Sequence, residues 1–211
     1  MIAVVDYRAG NLKSVERALE RLGFHCRITG DPGELLAADR IVFPGVGAAG
    51  AAMEDLRRSG VDRVLREAFC RGVPFLGICL GAQIILERSE EDECICLGLL
   101  PGEVRRFPSP LQGEGGRRLK IPHMGWNGLE LTTGHPVLEG IRTTDEFYFV
   151  HSYYPAPCHR DRVIGVTEYG IRFPSVIGRD NLLAVQFHPE KSGGPGLRIL
   201  ERFCRWDGRY A

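Results

Sequence analysis

Short apolar runs separated by turn residues dominate the first hundred positions. Residues 2–5 (Ile-Ala-Val-Val) end at Asp6 and predict a buried first strand. After a turn over residues 6–11, Leu12, Val15, Ala18, Leu19 and Leu22 recur at helical spacing, and Gly23 ends that helix. Further strands are predicted at 26–29, at 40–43, where Pro44-Gly45 stops the run, and at 74–78. A short helical turn at 34–38, a helix over 53–70 and another over 80–88 complete the first half. Short strands alternating with helices predict an α/β fold in which helices cover both faces of a mostly parallel sheet.

The texture changes after Leu97. Strand-like runs at 129–131, 147–153, 163–166, 175–178 and 184–187 follow one another with only Gly, Pro and Asn turns between them, which predicts an antiparallel extension. Leu197, Leu200, Phe203 and Cys204 have the spacing of a closing helix. Residues 107–118, rich in Pro, Ser, Gly and charge, read as an exposed loop. Neither repeats nor a linker interrupt the chain, so residues 1–211 are expected to form one domain.

Composition narrows the function. The 211 residues are 44% apolar and 26% charged, enough for a sizeable core. Balanced charge, 27 basic against 27 acidic residues, argues against a surface that tracks phosphates, so no nucleic-acid partner is expected. The apolar stretch at 74–86 is too short to span a bilayer, and the N-terminus has no secretory pattern. Seven cysteines make no even framework and no metal-ligand spacing, which fits a reducing cytoplasm and a protein with neither metal nor cofactor.

One cysteine stands apart. Gly77-Ile78-Cys79-Leu80-Gly81 lies between a predicted strand and a predicted helix, the setting of a nucleophile elbow. Flanking glycines permit the tight turn, and the helix N-terminus aimed at the sulfur favours a thiolate. A buried structural thiol in a Gly-rich turn explains the motif alone about equally well. Gln186-Phe187-His188-Pro189-Glu190 supplies a base and an orienting carboxylate, two residues apart and on one side if the segment is extended. Pro44-Gly45-Val46-Gly47, at a strand end, offers backbone N–H groups suited to an oxyanion, beside that of Leu80. A plain strand–helix turn remains the simpler reading of that loop taken by itself.

Taken together, these elements resemble the class I (triad) glutamine amidotransferases over nearly the whole chain. Within them, the nearest pattern is that of the glutaminase subunits of imidazole glycerol phosphate synthase. The segments that carry the resemblance are Val5-Asp6-Tyr7 with Gly10-Asn11-Leu12, the Pro-Gly-Val-Gly loop, Gly77 to Gln83, Pro122-His123-Met124-Gly125-Trp126-Asn127, Tyr148 to Tyr153, and Gln186 to Lys191. The His-Met-Gly-Trp-Asn segment and the Pro-Gly-Val-Gly loop separate this group from the anthranilate, GMP and carbamoyl-phosphate amidotransferases.

The resemblance implies a three-layer, flavodoxin-like fold and hydrolysis of glutamine. It implies Cys79 as nucleophile, His188 as general base and acid, Glu190 as its orienting carboxylate, and oxyanion N–H groups at Val46 and Leu80. Glutamine would be held by Gly47, Gln83, Glu91 and the backbone around His151, Ser152 and Tyr153. Asn11, Trp126 and Lys191 would face a (β/α)8-barrel cyclase subunit that uses the ammonia in histidine biosynthesis. Two departures stand out: Arg8 where the family usually has Gly, and a longer 107–118 loop. PfpI-like hydrolases also use an elbow cysteine but lack the late His-Pro-Glu. The remaining histidines, His25, His123, His135 and His159, are assigned no catalytic role.

Overall fold

A computed structural model describes residues 1–8 and 11–210; Gly10, part of the first-turn motif, lies outside the described residues. The chain begins β1 (Ile2–Val5), α1 (Leu12–Arg21), β2 (Cys26–Thr29), α2 (Pro32–Leu36), β3 (Arg40–Gly45), α3 (Ala49–Ser59), α4 (Val61–Cys70), β4 (Phe75–Cys79) and α5 (Leu80–Ile84). Strands then prevail: β5 (Arg88–Ser89), β6 (Cys94–Ile95), β7 (Gly102–Arg106), β8 (Leu111–Gln112), β9 (Arg118–Leu119), β10 (His123–Gly128), β11 (Glu130–Leu131), β12 (Glu146–His151), β13 (Tyr153–Pro157), β14 (Val163–Glu168), β15 (Arg172–Arg179) and β16 (Leu182–Val185), closed by α6 (Gly193–Arg205).

The main sheet has the order β11-β14-β15-β16-β4-β3-β1-β2. From β16 to β2 every neighbour is parallel, and from β16 to β11 every neighbour is antiparallel. The parallel part, 2-1-3-4-16, is a doubly wound flavodoxin-like order. Side-chain alternation splits the core between the two faces. Ala3, Val5, Ile41, Phe43 and Phe75 pack under α2–α5. Ile2, Val4, Val42, Leu76 and Ile78 pack with α1 and α6. The second face extends into a cluster of Phe107, Phe147, Phe149, Phe173 and Phe187, all buried, with ring centroids 4.2 Å apart for Phe147–Phe187 and 5.2 Å for Phe107–Phe173.

Several elements differ from the sequence expectation. The helix expected over 53–70 begins at Ala49 and is two helices, because Gly60 turns left-handed (φ 74°) and closes α3. The helix expected over 80–88 stops at Ile84. The carbonyls of Ile84, Ile85 and Leu86 are taken by the N–H groups of residues 97–100, and Arg88-Ser89 pairs as a strand. β3 continues through Pro44 and Gly45, which register with Ile78 and Cys79. The run at 147–153 breaks at Ser152 into β12, which pairs with β10, and β13, which pairs with β7. The 107–118 segment is not a wholly exposed loop: Phe107 and Leu111 are buried, and β8 pairs with β9. Arg8 adopts φ 70°, where glycine is at ease, and its N–H is held by Asp6 Oδ1 at 2.9 Å.

The β4–α5 junction is packed against its neighbours' backbones. A Cβ at Gly81 would collide with the Phe43 carbonyl of β3, and one at Gly77 would stand 3.1 Å from Ala184 Cβ of β16. Gly81→Ala should therefore destabilise the fold by about 1–3 kcal/mol, the range for overpacking. At about 2–4 °C per kcal/mol for a chain of this size, thermal unfolding should start several degrees lower. A melting curve that superimposes on the wild type would show that β3 yields freely.

Candidate active site

Cys79 ends β4 and begins the turn into α5 with φ 53° and ψ −108°. A non-glycine residue held there is strained. The strain throws the side chain over the carboxyl edge of the parallel strands, where doubly wound folds bind ligands. A cleft of about 320 Å³ opens at that edge. Val46 and Gly47 line it from the end of β3, and Cys79, Leu80 and Gln83 from the elbow. Glu91 joins from the next loop, His151, Ser152 and Tyr153 from the β12–β13 junction, and His188 from beyond β16.

His188 is clamped by backbone. Its N–H donates to the Tyr148 carbonyl of β12 at 2.9 Å. Its carbonyl accepts from Lys191 N at 3.0 Å and from Ser192 Oγ at 2.6 Å, and Ser192 Oγ accepts from Tyr148 N at 3.0 Å. The expectation that 188–190 is extended is corrected: Pro189–Lys191 is a single 3-10 turn, closed by the Lys191 N–H. The turn still brings His188 Nδ1 to 2.8 Å from Glu190 Oε1, with both side chains buried. Asn11 Nδ2 donates to the same carboxylate oxygen, so the residue assigned to a partner surface also holds Glu190.

Electrostatics separate the histidines. Burial alone would lower His188, but Cys79 on one side and Glu190 on the other overcome it and raise the imidazole to about 9. The sulfur is near enough to act on His188 but outside hydrogen-bond geometry, since Nε2 makes no hydrogen bond. His151 is pushed down to about 3, chiefly by burial, and His123 to about 4 by burial. Burial also raises the Glu91 carboxyl, whose Oε2 accepts from Ala49 N at 2.8 Å at the start of α3.

The outer rim is apolar. Met124 and Trp126 on β10 are 63% and 54% exposed. The Trp126 ring meets Tyr148 edge-on at 6.1 Å, and Lys191 Nζ lies 6.0 Å from the centre of the Tyr148 ring. Trp126 and Lys191 therefore flank the residue whose carbonyl holds His188. Sequence reasoning gave no role to Tyr148, His123 or Gln186. The available signal was Gln186, a polar side chain directly after an apolar strand.

Residues 3–206 match the class-I glutamine amidotransferase family. The chain belongs to that family. Among curated relatives of this amidotransferase, the imidazole glycerol phosphate synthase subunit HisH of Desulfovibrio desulfuricans is 52% identical over 98% of this chain and 94% of its own length. The protein of the same name from Pseudomonas putida is 47% identical over 99% of both chains. A solved glutamine amidotransferase superposes with a TM-score of 0.72 at 20% identity, covering 97% of this chain and 100% of its own. PurLQS from Thermotoga maritima superposes with 0.71 at 18% identity, covering 97% of each chain. At those identities the superpositions speak for the fold alone.

Histidine protonation is directly measurable. Across about pH 5–8, nitrogen-15 spectra should show His188 as imidazolium and His123 and His151 as neutral rings. The stability that His188 adds is complete below its ordinary 6.5 and is lost as pH rises through about 9. His123 and His151 act in the opposite sense, and their share is lost as pH falls toward about 4 and about 3. A neutral His188 ring at pH 7 would contradict the site's electrostatics.

Proposed function

We propose that this chain hydrolyses glutamine to glutamate and ammonia, with Cys79, His188 and Glu190 as the catalytic triad. The observation that carries the reading is the buried His188–Glu190 pair, 2.8 Å apart, beside a strained elbow cysteine in one cleft. Cys79 Sγ, as the thiolate paired with imidazolium His188, attacks the side-chain carboxamide carbon, and His188 then gives its proton to the departing ammonia and is left neutral. The resulting γ-glutamyl thioester is attacked by water, with His188 now the base, and glutamate leaves as the thiol reforms. Backbone N–H groups of Val46 and Leu80 receive the oxyanion. Gly47, Gln83, Glu91 and residues 151–153 hold the amino acid, with the Glu91 carboxylate as the ion partner of its ammonium group.

The ammonia goes to a partner. The curated relatives are named as subunits of imidazole glycerol phosphate synthase. By likeness to them, this chain works as one amidotransferase domain over 1–211, in a cytoplasmic heterodimer with a (β/α)8-barrel cyclase, in histidine biosynthesis. The exposed Met124 and Trp126, with Lys191 nearby, provide the apolar anchor and flanking charge typical of such a contact.

Cys79→Ser should abolish glutamine hydrolysis by the complex while the cyclase still uses added ammonium, because serine is a far weaker nucleophile beside this base. Glu190→Gln should slow hydrolysis by up to about 10⁴-fold. Glutaminase turnover near wild type in Cys79→Ser would end the nucleophile assignment, and a fall under about tenfold in Glu190→Gln would leave that residue a positioning role only. Trp126→Ala should weaken binding of the cyclase by about 2 kcal/mol or more, roughly thirtyfold, if the ring is a central anchor. Titration calorimetry with unchanged affinity would move the interface elsewhere.

A further inference from the structure

Behind the cleft, Gln186, His123 and Asn127, to which hydrolysis assigns no task, join Gln83, His151 and Tyr153 of the glutamine-binding wall in one line of polar groups. Gln186, wholly buried, extends Nε2 toward Cys79 Sγ at 3.7 Å. Its Oε1 accepts from Gln83 Nε2 at 3.0 Å, and Gln83 Nε2 also donates to the Tyr153 carbonyl at 2.9 Å. The same carbonyl is 2.8 Å from His151 Nδ1. His151 Nε2 meets His123 Nδ1 at 3.0 Å, and His123 Nε2 meets Asn127 Nδ2 of β10 at 3.3 Å.

A carbonyl oxygen only accepts. The Tyr153 oxygen therefore dictates protons in both directions. On one side, His151 must carry its proton on Nδ1. Both rings being neutral, His123 then donates from Nδ1 and accepts on Nε2 from Asn127. On the other side, Gln83 must present its NH2 to Tyr153 and, with the second N–H, to Gln186. Gln186 must then answer with oxygen. Only one orientation of the Gln186 amide satisfies that contact, and it aims the NH2 group at the sulfur. The flipped amide would oppose two donors at Gln83 and set an oxygen against the thiolate, and a buried unpaired donor is costly.

We infer that Gln186 is a further catalytic residue, whose Nε2–H donates a hydrogen bond to Cys79 Sγ and stabilises the thiolate, with its orientation imposed by the Tyr153 carbonyl through Gln83. This rests on the reading of Cys79 as the nucleophile. The donor acts where charge sits on sulfur, before attack and again as the thioester breaks down, and it leaves binding of the amino acid to other groups. The titratable groups around the sulfur are His188 from the 189–191 turn, with Glu190 behind it, and Tyr7 after β1. All three are retained in the variants below.

The test is the pH profile of Cys79 alkylation by iodoacetamide on the full chain, read by mass spectrometry of the Cys79 peptide because Cys70 and Cys158 are exposed and react as well. Gln186→Glu keeps an acceptor for Gln83 and replaces the donor facing sulfur by an anion. Gln186→Met removes the donor without adding charge. Both should raise the pH of half-maximal alkylation, by about one unit or more for Gln186→Glu, a tenfold loss of thiolate at a given pH. With saturating cyclase, kcat for glutamine should fall about tenfold or more in both variants. KM should change by less than about twofold in Gln186→Glu, which keeps the acceptor for Gln83; that is the mark of a contact serving the chemical step rather than substrate binding. Profiles that superimpose on the wild type overturn the inference, and so does a shift confined to Gln186→Glu, which would report the new charge alone. If neither variant folds, the wild type decides: the Gln186 side-chain amide proton resonance should move through the same midpoint as alkylation, and a resonance indifferent to that titration overturns the inference. Alkylation needs no glutamine. A wild-type complex without glutaminase activity would remove the proposed function and leave this hydrogen bond in place, whereas unchanged profiles in an active enzyme would do the reverse.

Discussion

The positive φ of Cys79 is the constraint around which the rest of the molecule is arranged. A β-strand that must turn into a helix within one residue needs neighbours that leave no alternative, because the strained conformation relaxes wherever the surroundings permit. β4 is a central strand, locked on one side by β3 and on the other by β16, both parallel. Gly81 lets α5 start directly over the Phe43 carbonyl, and Gly77 admits Ala184. Larger residues at either position would push α5 outward and let Cys79 fall back into an ordinary strand conformation. The strain is thus held by close packing over the whole doubly wound sheet rather than by any one contact.

The antiparallel half of the molecule answers a different need. The parallel strands place the cysteine but not the histidine beside it. β16 delivers His188 to the cleft only because β12 crosses behind it, with Tyr148 taking the His188 N–H and binding Ser192 Oγ. β12 is in turn set by β10 and by the phenylalanine cluster beneath it, where truncating one ring would cost about 3–5 kcal/mol. The break at Ser152 divides one apolar run into two strands, and β13 becomes an edge strand whose first carbonyl, that of Tyr153, points away from β7 and serves His151 and Gln83.

Much of this was legible in the sequence, and what was not has physical causes. The elbow, the His-Pro-Glu turn and the parallel strands were readable because glycine spacing and short β-rich runs are local signals. The division of α3 from α4 was missed because the apolar period continues across Gly60, and only its left-handed φ separates the helices. The early end of α5 was missed because Ile84, Ile85 and Leu86 are all buried, which erases any helical period. The buried anchors Phe107 and Leu111 were hidden by the Pro, Ser and Gly around them. The nearness of His188 to Glu190 was anticipated for the wrong reason: alternation in a strand would also have put them on one side, but a 3-10 turn does it here. Hydrogen bonds such as Gln186 to Cys79 and Asn11 to Glu190 join residues more than a hundred positions apart, and no local pattern encodes them.

Those long-range bonds give the site two independent supports that meet at the sulfur and the imidazole. On one side, Glu190 and Asn11 fix the ring of His188 from the α1 end of the sheet. On the other, a chain that starts at Asn127 on β10 ends at Cys79, and Trp126, its neighbour in sequence, stands exposed on the rim. β10 and Tyr148 therefore have two roles: their outer side chains form the apolar rim, and their inner groups are tied to Cys79 and His188. In the proposed heterodimer, a partner that seats on Trp126 and Lys191 would press on the strands that fix the protons of the active site. Even a small movement of β12 would then be felt at once by His188, through the Tyr148 carbonyl, and by Cys79, through Tyr153, Gln83 and Gln186. Interior close packing leaves little slack to absorb such a movement before it reaches the reacting atoms.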